Sequence, residues 1–442
     1  MKTNFFKQYL FVLLIFVAFF DYDIFVILSI IYFINFLFFD NKIEFHELTK
    51  KVVYLQVSFF IVFIRFIPVL NSKFLKLYNN ISQQNYLSLD GNFYSENVFL
   101  DLQTFLYGLY CNSSQKTYKD YTTMYEGVLL KCPFGSGYGY LVDKFFINGG
   151  VWMITLVIAF ISLSILFYIF YLNVKQTKSK EFITITLFFL SPPVNFLIFR
   201  LNIDLIIFIF LIFFFSKNIK NKYIRNFTFL FFTFIKLYPI LFLLSFTIYD
   251  ILKTKKINQP INYLFSISAF YYLYLNNLNM GPSVYLTENQ SYRSYGINND
   301  VRYLVEMFSF SGSVFFVALI FIILIIGYLF FGKLEINSTN FHELHSVIFL
   351  LGSGIFVNYD YKLIFLFFLV KLVSKIDNKF INIILFLFIF SSPTLLHAYE
   401  KYYKLIVNDE IFILDFSFYF VYALCTAILY GYLRDIFRKI KN

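Results

Sequence analysis

Apolar runs of helical length recur along nearly the whole chain, at about 7–20, 23–39, 52–70, 150–172, 182–199, 203–216, 226–238, 239–252, 261–275, 312–331, 343–358, 363–374, 380–396 and 411–433. A chain with that pattern lacks the polar surface to cover itself in water. With 59% hydrophobic residues, 14% charged residues and a mean hydropathy of +0.69, its natural solvent over most of its length is a lipid bilayer. The expected fold is all-α, a polytopic membrane protein of about 14 segments, several of them short. The 67 Phe and 37 Tyr, beside abundant Ile, Asn and Lys, fit an AT-rich coding sequence, so aromatic stripes are read as lipid-facing filler.

A net charge of +11 would point to nucleic acid in a soluble protein, but here the basic residues gather in short connections. Lys50 and Lys51; Lys175, Lys178 and Lys180; Lys217, Lys220, Lys222 and Arg225; Lys253, Lys255 and Lys256; Lys375 and Lys379; and Arg434, Arg438, Lys439 and Lys441 all fall on one face if both termini are cytoplasmic. No nucleic-acid partner is expected. The parity holds only if 226–252 is two short segments meeting at the Lys236-Leu-Tyr-Pro239 turn, rather than one helix kinked at Pro239. The first apolar run passes through Asp21 and Asp23 into the second without a small-residue cleavage site, so it is expected to stay as an anchor. Residues 1–51 read as a peripheral N-terminal membrane hairpin. Residues 52–442 read as one transmembrane domain with two outer loops, 71–149 and 276–311.

Charge at bilayer depth is expensive and is usually kept for a polar substrate, an ion or a proton. Asp204, Lys236, Asp360 and Lys362 lie inside or against apolar runs, and threading puts all four on the side of loop 71–149. Segments of about 12 to 14 residues cover only about 18 to 21 Å, short of a hydrocarbon core of about 30 Å. Their outer turns therefore sit below the membrane surface, which is tolerated where backbone lines a wet cavity or is buried in protein. A polar cavity open to the outer face is the expected place for chemistry.

Several residues are candidates for it. In loop 71–149, Asp101 opens a stretch in which Leu102, Phe105, Leu106 and Leu109 form an apolar helical stripe, so the carboxylate would stand at the cavity rim; a solvated first-turn acid is the plainer reading. Lys236 is a lone cation in Phe-Thr-Phe-Ile-Lys-Leu-Tyr-Pro, and only upward snorkelling suits it, toward an anion such as phosphate. Asp204 follows Asn202 and lies i, i+4 from Arg200, with which it could simply pair. Asn358, Asp360, Tyr361 and Lys362 sit together before an apolar run, where an interfacial tyrosine belt is the alternative. Loop 276–311 offers Arg293 and Asn298 among tyrosines suited to sugar faces, with ordinary loop composition as the alternative. The histidines, at 46, 342, 345 and 397, are scattered, and no CxxC or His/Cys cluster is present, so no metal and no cofactor is expected. Cys111 and Cys132 share the outer loop and are expected to form a disulfide closing about 20 residues, a span worth about 3 kcal/mol. No phosphate-binding loop, dinucleotide fingerprint or hydrolase elbow is present.

Four of these features together resemble the GT-C integral-membrane glycosyltransferases, and glycosyltransferase family 87 in particular, the polyprenyl-phosphate-mannose-dependent type. They are the Asp101 segment in the first large outer loop, Leu201-Asn202-Ile203-Asp204, Lys236 to Pro239, and Asn358-Tyr-Asp-Tyr-Lys-Leu-Ile-Phe365, in that order. The chain departs from that pattern in carrying two extra leading segments and Lys362 where the family has Arg. The resemblance implies inverting transfer of a mannose-like sugar from a polyprenyl phosphate to a glycan or glycolipid acceptor on the outer face. Asp101 would be the general base. Lys236, Lys362 and Arg293 would hold the donor phosphate, and Asn202, Asp204, Asn358, Asp360, Tyr361 and Asn298 would contact sugar or acceptor. A secondary transporter would also carry midplane charges, but it should show inverted repeats. A polysaccharide polymerase or O-antigen ligase should carry Arg and His in the outer loop, and 71–149 has neither.

Overall fold

Prolines and polar turns, more than the lengths of the apolar runs, decide where the helices of this chain break. The computed structural model describes residues 2–39, 44–63, 66, 102, 151–216, 222–235, 238–254, 294–295, 311–331, 342–353, 358–370, 378–390 and 415–441. Apart from one two-residue strand pair, the described regular structure is helical. Three helices come first, α1 (Lys2–Val17), α2 (Tyr22–Phe39) and α3 (Glu47–Ser58), the last running on through a π turn at Phe59–Phe63. Then come α4 (Val151–Val174), α5 (Ser179–Phe189), α6 (Pro192–Arg200), α7 (Ile203–Ser216), α8 (Lys222–Ile235) and α9 (Ile240–Thr254). The late elements are β1 (Ser294–Tyr295), α10 (Gly312–Ile326), α11 (His342–Ser353), β2 (Asn358–Tyr359), a 3-10 helix (Asp360–Leu366), α12 (Lys379–Phe390) and α13 (Asp415–Lys441).

The N-terminal helices are tied together by one amide. The Gln8 side chain donates to the Glu44 carbonyl (2.5 Å) and accepts from the His46 amide (3.0 Å) and the Thr49 hydroxyl (3.0 Å). A second amide, Gln56, donates to the Val12 carbonyl (3.2 Å), so α1 and α3 lie side by side and run parallel. These helices are also joined to the rest of the bundle. Phe45 and Tyr54 pack on Phe182 of α5, and Phe33 of α2 stacks on Phe386 of α12 with ring centroids 3.9 Å apart. Aromatic pairs of this kind contribute about 0.5–1.5 kcal/mol each beyond their burial.

Among the described residues two helices are long and apolar enough to cross a membrane, Ile154–Val174 with 21 residues and Gly312–Leu329 with 18. A third span is available if α5 and α6, bent by 46° at Ser191, are taken as one. The bend has a local cause: Pro192 and Pro193 bring no amide hydrogens to continue the α5 ladder, and Ser191 restarts a helix with proline in its first turn. Bare apolar faces remain on α4, at Val157, Phe160 and Ile161, and on α10, at Val314, Val317 and Phe321. Faces of that size need lipid or protein against them, and the fold is that of an all-helical protein suited to a bilayer.

Helices α8 and α9 form an antiparallel hairpin, two short helices rather than one kinked one. Phe229 packs on both Phe242 and Phe246, and Arg225 near the start of α8 reaches Asp250 near the end of α9 at 2.7 Å. The Arg225 guanidinium also lies over the Phe246 ring, 4.3 Å from its centroid. Arg225, counted above as a loop charge, is therefore a buried residue of α8 that locks the hairpin. At 14 residues each, α7 and α8 are about 21 Å long, short of a hydrocarbon core of about 30 Å.

Candidate functional site

The turn between α6 and α7 is the most constrained backbone described. Leu201 closes α6 in the left-handed region (φ 47°), a conformation that costs a non-glycine residue about 1 kcal/mol or more. Its side chain is buried, and burial holds the residue there. Asn202 then caps α7, its Oδ1 accepting from the Asp204 amide at 3.1 Å, which satisfies one of the first-turn donors that no helix can pair internally. The cap places Asp204 in the first turn, where the helix dipole favours an acid. Asp204 is fully buried.

Its partner comes from the α8–α9 connection. Tyr238 precedes Pro239, whose missing amide hydrogen suits the entry to α9, and the Tyr238 hydroxyl donates to Asp204 Oδ1 at 2.6 Å. The ring of Tyr238 lies 5.5 Å from Phe349 of α11 and 5.4 Å from Phe365 of the 3-10 helix. Phe242, Phe349 and Phe365 also touch one another, so four rings close the space beneath the turn. The Phe365 carbonyl is in turn held by the Ser346 hydroxyl at 2.6 Å.

The 3-10 helix opens with Asp360, Tyr361 and Lys362, directly after β2. Strand β2 pairs antiparallel with β1, Ser294 opposite Tyr359 and Tyr295 opposite Asn358, so the residue after Arg293 is tied to the residue before Asp360. The backbone thus brings together three segments distant in sequence: the head of α7, the entry to α9, and the 358–366 segment with its β1 partner. Asn358, Asp360, Tyr361 and Lys362 are placed here by their backbones. Asp101, Cys111, Cys132, Lys236, Arg293 and Asn298 lie outside the described residues, although Leu102, next to Asp101, is buried in the core.

Polar side chains also gather at the far ends of these helices. The Ser245 hydroxyl lies against the Phe242 carbonyl (2.8 Å) and makes a short hydrogen bond with Nδ1 of the fully buried His345. Nearby on α11, Glu343 accepts from the Tyr432 hydroxyl at 3.4 Å. Among the described residues no group of three or more His, Cys, Asp or Glu could hold a metal ion.

The residue that sequence reasoning passed over is Tyr238. It lay inside the Lys-Leu-Tyr-Pro motif as a spacer, and its only signal was a hydroxyl at a depth that demands a partner. No protein-family model, no curated protein and no solved structure matches this chain.

Proposed function

We propose that this chain is an integral-membrane glycosyltransferase that moves a mannose-like sugar from a polyprenyl-phosphate donor to a glycan or glycolipid acceptor, with inversion. One observation carries the reading: the Asn202–Asp204 turn, the Tyr238–Pro239 turn and the Asp360–Leu366 helix, each singled out by charge at depth, meet in the fold. A lipid-linked phosphate reaches such a place by diffusing in the bilayer.

In the proposed reaction Asp101 takes the proton of the acceptor hydroxyl as its oxygen attacks the anomeric carbon, and the glycosidic electron pair leaves on the polyprenyl phosphate. Lys236, Lys362 and Arg293 hold that phosphate and stabilise the charge developing on it. Asn202, Asn358, Asp360, Tyr361 and Asn298 line the sugar and acceptor side, with Asp204 supporting them. The protein would be multi-pass in the plasma membrane, with both termini cytoplasmic and the site facing the periplasm or cell exterior.

Lys236→Met keeps the apolar stem and deletes the charge. Loss of a charge-assisted bond worth about 1.5–3 kcal/mol weakens donor binding by about 10- to 100-fold. Stability without ligand should stay equal or rise. Binding of a polyprenyl-phosphate sugar by purified protein in nanodiscs, beside thermal unfolding, reads both. A variant that unfolds, while its folded fraction keeps wild-type donor affinity, would make Lys236 a structural partner and refute its phosphate role.

A further inference from the structure

We infer that Tyr238 is a positioning residue that aligns two parts of the donor site, through a hydroxyl clasp on Asp204 and an aromatic contact on Phe365. The inference rests on the functional reading above, because it assigns the clasp to the residues that would hold the donor phosphate.

The anchor is rigid on its own account. Asp204 sits on a helix head capped by Asn202 and entered through a left-handed Leu201, so its carboxyl group has a fixed address. The clasp at 2.6 Å then fixes Tyr238, two residues along the chain from Lys236. On its other side the Tyr238 ring meets Phe365, three residues after Lys362, about one turn of a 3-10 helix. Ser346 holds the Phe365 carbonyl, so that contact is fixed as well. Tyr238 therefore touches both the α7 head and the 3-10 helix. A half-buried tyrosine that merely satisfies its hydroxyl would support stability alone. A positioning tyrosine also sets how two cations meet one phosphate.

The test uses the full chain in nanodiscs with polyprenyl-phosphate mannose as the probe. Tyr238→Phe keeps the ring and removes the hydroxyl; Asp204→Asn keeps an oxygen acceptor, and Asp204→Leu does not. Hydrogen exchange is followed at the Leu241 and Phe242 amides, which bond to the carbonyls of Tyr238 and Pro239. For Tyr238→Phe the expected result is exchange faster by about tenfold at those amides, and a donor KM raised about tenfold with kcat within about threefold of wild type. Asp204→Leu should speed exchange at those amides in the same way, with the double variant no faster than either, and Asp204→Asn should leave exchange near wild type. Unchanged exchange in Tyr238→Phe overturns the clasp. Faster exchange with an unchanged donor KM leaves only a structural role and overturns the positioning claim. Failure of the wild-type protein to bind or transfer from this donor refutes the functional reading instead, while the exchange result still decides the clasp.

Discussion

The Arg225–Asp250 pair sets the geometry of the hairpin that carries Tyr238, and its removal has a calculable effect. The two side chains retain 9% and 13% of their exposure, so Asp250→Ala leaves a guanidinium largely cut off from water. Removing one partner of a buried pair costs about 3–5 kcal/mol. Arg225 keeps the Asn226 side chain at 3.3 Å and the face of Phe246, which places the expected loss at the low end, about 3 kcal/mol. Replacing both, as in Arg225→Met with Asp250→Leu, removes the two desolvation penalties together and should cost about 1 kcal/mol or less. The double variant should thus be more stable than Asp250→Leu or Arg225→Met alone, with a coupling energy of about 2 kcal/mol or more between those two substitutions. Equilibrium unfolding in mixed detergent and SDS micelles, followed by circular dichroism, measures all the variants against wild type. Additive losses within about 0.5 kcal/mol would refute the buried-pair reasoning and make Arg225 the loop charge that the chain's basic pattern suggested.

Two further outcomes follow from the packing. A β-carbon at Gly352 would strike the Leu241 side chain, with Cδ1 at 2.8 Å and Cγ at 3.2 Å, so Gly352→Ala should destabilise by about 1–3 kcal/mol, and adding Leu241→Ala should recover part of the loss in the same unfolding assay. Gln8→Ala strips partners from the Glu44 carbonyl, the His46 amide and the Thr49 hydroxyl at once, and should cost about 1–3 kcal/mol with loss of hydrogen-exchange protection confined to the start of α3.

Much of this architecture was legible in the sequence because its signals are local. The hairpin turn at Pro239 rests on residues within one helical turn of it, whereas run length joins 182–199 into one segment that Pro192 and Pro193 break. Asp204 could be flagged as costly from its apolar neighbours alone. What the sequence concealed are pairings across long separations. Nothing in the periodicity of α8 and α9 says that Arg225 will find Asp250 across 25 residues, or that Tyr238 will choose Asp204 rather than water. Asp204 has a candidate partner one turn away in Arg200, whereas the Tyr238 hydroxyl that reaches it comes from 34 residues on and has no local signal. The β1–β2 pairing, 64 residues apart, joins two polar stretches with no alternating pattern to announce them. The segment count and the N-terminal boundary at residue 51 rest on run lengths and charge, which fix where helices form better than which neighbours they choose.

The central claim is that the charged turns that meet in this fold serve sugar transfer, and Asp101→Asn tests it most directly. The substitution keeps the size of the side chain and removes its basicity. In proteoliposomes supplied with a polyprenyl-phosphate mannose and a glycolipid acceptor, the variant should bind donor as wild type does and turn over about 10²- to 10⁴-fold more slowly. Transfer by Asp101→Asn at near wild-type rate would contradict the account.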